Sequence, residues 1–268
     1  MTKQTIRFLL LLCLVSTASA KPVAVPANID HTPWDRLLQK HVNPVGLVDY
    51  RNWSKSPEDL KTLRDYLLQY APRSKQKAEG DDEVASLINA YNAFMVQYVL
   101  NHFPIESIRL LDDEFKGRRY RIGGTLVSAE DIELDMLRSR IGWKMHSVVV
   151  CAARSCPPLL NRAYFAEDWD AKVKERYTAW LGRKDLNSYD SKKKRAEISK
   201  IFDWHEVDFE GADKPSIRDT LRRYGPRAQQ DLLIQDNFRI RFKGYHWGLN
   251  AQSSIGRNYK HSWLDSVF

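Results

Sequence analysis

At 268 residues, 43% of them hydrophobic, the chain has the material for a full core, and with only three cysteines it is not a small disulfide-stapled scaffold. Its 42 lysines and arginines against 34 acids give a formal charge of +8. That mild positive field reads either as a charged, soluble surface or as a preference for anionic partners such as lipid headgroups or small acids. No nucleic-acid motif accompanies it, which sets that partner aside.

Residues 1–20 read as a secretory signal peptide. Lys3 and Arg7 form a short positive region, Phe8 to Val15 an apolar run, and Ala18-Ser19-Ala20 a small-residue cleavage signal. The run is too short to span a bilayer, and no later run is long enough. The expected setting is therefore periplasmic or secreted, with no membrane span. Cleavage removes Cys13 and leaves only Cys151 and Cys156. In an oxidising compartment these can close a small disulfide loop, which stabilises a fold less than a long-range bridge does.

Residues 21–31 carry two prolines and little pattern and read as a flexible mature N-terminus, followed by a single globular domain over 32–268. A first helix opens at Thr32-Pro33, and Val45 to Tyr50 reads as a short strand or extended segment. A second helix starts at Ser56-Pro57 and carries Leu60, Leu63, Leu67 and Leu68. Asp81-Asp82-Glu83 then begins the longest helix, running to Pro104. It is apolar nearly all round, the pattern of a buried central helix. Asn89 and Asn92 must lie inside it, either stitching the core or serving a site.

Gly123-Gly124 marks the turn of a hairpin, and Ser128 with Asp131 fits a capping box for the next helix. His146-Ser-Val-Val-Val-Cys151 reads as a buried strand that delivers its ends to a small-residue loop, closed by Cys156-Pro157-Pro158. Phe165 to Leu181 reads as a helix and Glu197 to Asp203 as a strand. Ser216 to Tyr224 and Ala228 to Gln235 read as helices, and Phe238 to Phe242, which alternates, as a strand. Helices outnumber short, scattered strands, so the fold class is α+β, mostly helical with a small mixed or antiparallel sheet.

Several of these stretches together resemble a bacterial and plant family, the domain of unknown function number 547. They are Leu87 to Phe94, the Gly124 to Arg138 segment with Ile132-Glu133 and Leu137-Arg138, His146 to Pro157, Ile198 to Trp204, and Tyr245-His-Trp-Gly-Leu-Asn250. One departure is His246, where the resemblance implies an aspartate. Some plant relatives carry a glutaredoxin-like domain in the same chain, which implies thiol or small-peptide chemistry.

The residue types support a thiol-centred protein, with its status as an enzyme left open. The first reading is a cysteine-dependent hydrolase or transferase on amide, thioester or small thiol-peptide substrates. It needs Cys156 or Cys151 as nucleophile, His146 as base and Asn89 or Asn92 as orienting amide. A central helix followed by a His-bearing strand is similar to papain- and transglutaminase-like folds, in a rearranged order because those place the cysteine on the helix. If 146–151 is a strand, His146 and Cys151 point to opposite faces roughly 16 Å apart, at about 3.3 Å per residue. Cys156 is then the better nucleophile.

The second reading is thiol–disulfide redox, for which the C-x4-C spacing is a weak signal. The third is a non-catalytic binding module with a structural Cys151–Cys156 disulfide. It would grip a small molecule or peptide, anionic or thiol-containing, with Arg154, Ser155 and Tyr91. A metal held by His146, Cys151 and Cys156 matches no zinc spacing and is placed last, so neither a metal nor another cofactor is expected.

Overall fold

The computed structural model describes residues 23–111 and 113–260. The signal-peptide expectation over 1–20 lies outside the described residues.

The fold is built on one helix. The first two helices, α1 (Thr32–His41) and α2 (Pro57–Leu68), pack on each other, and α2 leans on α3 (Gly80–His102). From Val84 to Val96 every residue of α3 is buried, asparagines included. A helix without a polar face can only sit in the middle, with neighbours on all sides. Proline and an N-cap serine start α2, where Ser56 accepts the Asp59 amide. At the head of α1 the capping position is His31.

After α3 the chain makes the hairpin β1 (Tyr120–Ile122) and β2 (Thr125–Val127). Gly123 and Gly124 turn it at φ +56° and +80°, values that disfavour any residue with a Cβ. The capping box forms as expected: Asp131 N–H donates to Ser128 Oγ at 2.9 Å, and the Asp131 carboxylate accepts the Ser128 N–H at 2.8 Å. What it caps is α4 (Asp131–Leu137), a wide π-type helix packed against α3. α5 (Trp169–Gly182) packs on α3, and α6 (Ile217–Tyr224) on α5. A three-stranded sheet of β3 (Ser188–Asp190), β4 (Arg195–Ile198) and β5 (Arg239–Phe242) completes the fold. β3 and β4 pair antiparallel, β4 and β5 parallel. The α+β class with a small mixed sheet is what the pattern predicts.

Before α1, Val25 is buried, Ala78 N–H donates to the Val25 carbonyl, and Pro26 bridges to Lys77. Three local expectations are corrected. Residues 45–50 form no strand. Val48 makes isolated bridges to Val42 and Ala251, and Tyr50 opens a single helical turn to Trp53. The strand expected over 197–203 ends at Ile198, and Ile201–Trp204 is helical. Residues 146–151 are not a strand either, for a reason found at the site itself.

Candidate functional site

Residues Gly142–Ser147 wind into a tight 3-10 helix that places His146 in the interior; Val148 still turns in the helical region, and Val149 and Val150 follow as buried chain outside any strand. The Val148 and Val149 N–H groups donate to the Met145 carbonyl at 2.9 and 3.1 Å, and a side chain takes two of the remaining groups. Asn92 donates Nδ2–H to the Val148 carbonyl at 2.9 Å and accepts the Val150 N–H at 2.9 Å. One amide thus plays the part of a neighbouring strand. Asn89, one turn earlier on α3, does the same for Tyr164, donating to its carbonyl at 2.7 Å and accepting its N–H at 3.0 Å. Both asparagines are engaged with backbone, and neither orients His146.

That task falls to Asp208. His146 Nε2 lies 2.8 Å from Asp208 Oδ2, and Arg138 Nε donates to the other carboxylate oxygen at 2.6 Å. Burial alone would raise the Asp208 carboxyl, but the hydrogen bonds from His146 and Arg138 outweigh it and hold it below its ordinary range. The His205 ring lies over His146 with centroids 4.4 Å apart. Burial, and next the nearby His146, push His205 down to about 4, so its imidazole is neutral at physiological pH. Glu133, on α4, accepts the Tyr91 hydroxyl at 2.9 Å. Its carboxyl is raised by burial, against the pull of His146 and the Tyr91 hydrogen bond.

Cys151 and Cys156 form a disulfide with Cα atoms 6.3 Å apart. Neither is therefore a free thiol here, nor a metal ligand beside His146. The Tyr245 hydroxyl lies 3.2 Å from the Cys151 sulfur and 3.1 Å from that of Cys156. The segment bearing it is laced to the disulfide loop: Arg154 N–H donates to the Gly248 carbonyl at 2.7 Å, and Asn250 N–H to the Ala152 carbonyl at 2.9 Å. Gly248 has no room for a side chain, since a Cβ would stand 1.9 Å from the Gly256 carbonyl oxygen. His246, at the position where the resemblance implies an aspartate, accepts the Gly248 N–H on Nδ1 at 3.0 Å. An aspartate would cap the same turn, so this histidine is accounted for by the loop.

A cavity of about 720 Å³ opens over these groups, lined by Tyr91, Glu133, His146, the disulfide, His205 and the aromatic rings of Trp204, Tyr245 and Trp247. Of the residues singled out in the sequence, Tyr91, His146, Cys151 and Cys156 meet there. Arg154 and Ser155 do not: the Arg154 guanidinium donates to the Ala251 and Ser253 carbonyls, and Ser155 Oγ accepts the His246 N–H at 2.8 Å. Both shape the loop and neither lines the cavity. Glu133, Arg138, His205 and Asp208 are the site residues that sequence reasoning missed. Glu133 and Arg138 stand in a stretch that carried the family resemblance. His205 and Asp208 had no motif to flag them.

Fold and site together define an α+β protein with a Glu–His–His–Asp cluster, its His146 and Asp208 buried and its Glu133 and His205 half-buried, beneath a disulfide-walled pocket. The family model described as "Protein of unknown function, DUF547" matches residues 75–181, as the resemblance read from the sequence implies. No curated protein and no solved structure matches the chain. The matched stretch holds Tyr91, Glu133, Arg138, His146 and both cysteines, whereas His205, Asp208 and Tyr245 lie beyond it.

Proposed function

We propose that the protein is a ligand-binding module whose pocket is the cavity over His146, with the Cys151–Cys156 disulfide as a structural part of its wall. The observation that carries this reading is the cavity itself. Its volume of about 720 Å³ falls within the range of about 300–1,000 Å³ usual for small-molecule sites. Three aromatic rings, Trp204, Tyr245 and Trp247, pack together along its wall as a platform. The charges argue against a simple anion as ligand. Asp113, Glu114, Glu130 and Glu133 face Arg109 and Lys116, and Arg109 is paired with Glu114. A peptide or small molecule with a planar or apolar body and an amine is the better match. A disulfide belongs to an oxidising compartment, which supports a periplasmic or secreted setting.

The test is a titration followed by tryptophan fluorescence, using short peptides, aromatic amines and carboxylic acids in the presence of chelator. Amines or peptides should shift the emission, and Val149→Phe, which fills the cavity, should abolish the shift. No response from any class, or a response untouched by Val149→Phe, would end this reading.

A second reading has one observation in its favour: His146 and both sulfurs line the same cavity. Reduction would release thiols beside the His146–Asp208 pair, as a cysteine-dependent hydrolase or transferase, or a thiol–disulfide protein, would need. Turnover of amide or thioester substrates would then appear only after mild reduction and would vanish in Cys156→Ser.

A further inference from the structure

We infer that Glu133, His146 and His205 form a binding site for one divalent transition-metal ion of the zinc class at the floor of the cavity. The three side chains come from separate segments: α4, the 3-10 helix ending at Ser147, and the turn after Trp204. Each offers one donor atom, a carboxylate oxygen or a ring nitrogen, and the three atoms lie within 4.8 Å of one another. Metal–ligand bonds of about 2.0–2.2 Å in a tetrahedral shell place donors about 3.4 Å apart. Small rotations about the side-chain torsions close that difference.

The surroundings are those a metal requires. Metal-bound histidines characteristically hand their other ring nitrogen to a carboxylate. His146 does so, with Nε2 on Asp208, and Arg138 holds that carboxylate from behind. This leaves Nδ1 of His146 for the ion. Tyr91 likewise occupies one oxygen of Glu133 and leaves the other. A cluster serving only the core would hydrogen-bond internally, yet among the described residues no hydrogen bond joins Glu133 to either imidazole. Two imidazoles and a carboxylate are the donor set of catalytic zinc sites, which keep a fourth position open. Here that position faces the cavity, since all three residues line it. A bound dication would also reverse the local sign of charge. The class of ligand it would accept is one offering an oxygen donor, a carboxylate or a carbonyl, to the open position.

The experiment uses the purified full chain, stripped with chelator and titrated with Zn²⁺ alone by calorimetry and with Co²⁺ by absorption. One ion per chain is expected, with visible Co²⁺ bands and no sulfur-to-metal charge-transfer band. Glu133→Gln and His205→Gln should each weaken binding by more than the roughly 10–100-fold that loss of an outer-shell partner costs. Asp208→Asn should fall within that range. No binding by the stripped parent, affinity unmoved by His205→Gln in a protein of native circular dichroism, or a sulfur charge-transfer band would each overturn the site. If His205→Gln does not fold, the Co²⁺ spectrum of the parent decides. The probe is the ion alone, so failure here is distinguishable from failure of the ligand-binding reading, which is tested under chelator.

Discussion

His146 Nε2 and Asp208 Oδ2 stand 2.8 Å apart in the interior, joining two segments that are 62 residues apart in the chain. The pair is nearly closed to water, with side chains 1% and 4% exposed, so its removal is not compensated by solvent. Asp208→Asn keeps the shape but gives up the charge that both His146 and Arg138 address. It should lower unfolding free energy by about 2–3 kcal/mol, measured by urea denaturation. A change near zero would mean that the pair holds nothing in place.

Asn92 pairs one carbonyl and one amide of the valine run on its side chain. In Asn92→Ala the Val148 carbonyl and the Val150 amide lose their partners inside the core. Each unpaired buried group costs about 1–3 kcal/mol, so the loss should be at least about 2 kcal/mol, and amide exchange at Val150 should accelerate. Asn92→Asp should be no better, because a carboxylate can accept from Val150 but cannot donate to Val148.

The disulfide closes a loop whose ends are only five positions apart. Chain-entropy reasoning assigns so small a ring about 2 kcal/mol. The Cys151→Ser/Cys156→Ser protein should therefore fold and lose about that much on thermal or urea unfolding. A loss above about 4 kcal/mol would show that the sulfurs hold the Tyr245 segment as well as their own loop.

Acid should weaken the protein through His31. Burial between Tyr66 and Ser86 lowers its pKa from 6.5 to about 4. The unfolded chain therefore takes up this proton first. Its contribution is fully present above about pH 6.5 and is lost as pH falls towards 4, by about 3 kcal/mol when complete. Stability measured against pH should fall over that window, and His31→Gln should flatten the fall. An unchanged slope in the variant would assign the acid sensitivity to other groups.

How much of this was legible in the sequence depends on whether a residue's partner is close to it in the chain. The burial of α3 could be read because an all-round apolar pattern has one solution, and the hairpin because Gly123-Gly124 permits its turn. Cys151 and Cys156 allowed a small loop by their spacing, without fixing whether it closes. The valine run misled because three buried β-branched residues look the same whether a strand or an asparagine satisfies their backbone. Arg154 looked available to a ligand, and the carbonyls of Ala251 and Ser253 that occupy it leave no trace in a sequence pattern. Asp208 and His205 reach the site only through the tertiary fold, which periodicity does not encode.

The late return of the Tyr245–Asn250 segment to the disulfide loop has a consequence for how the protein is made. During synthesis α3, His146 and both cysteines leave the ribosome well before Asp208, and the backbone that laces the loop in place comes later still. Until then His146 lacks its Asp208 partner, and the Val148 carbonyl and Val150 amide have Asn92 to hold them. Contacts of such long sequence separation are slow to form. The pocket cannot close before the Tyr245 segment has docked, and a chain cut short after α5 would lack Trp204, Tyr245 and Trp247 from the cavity wall.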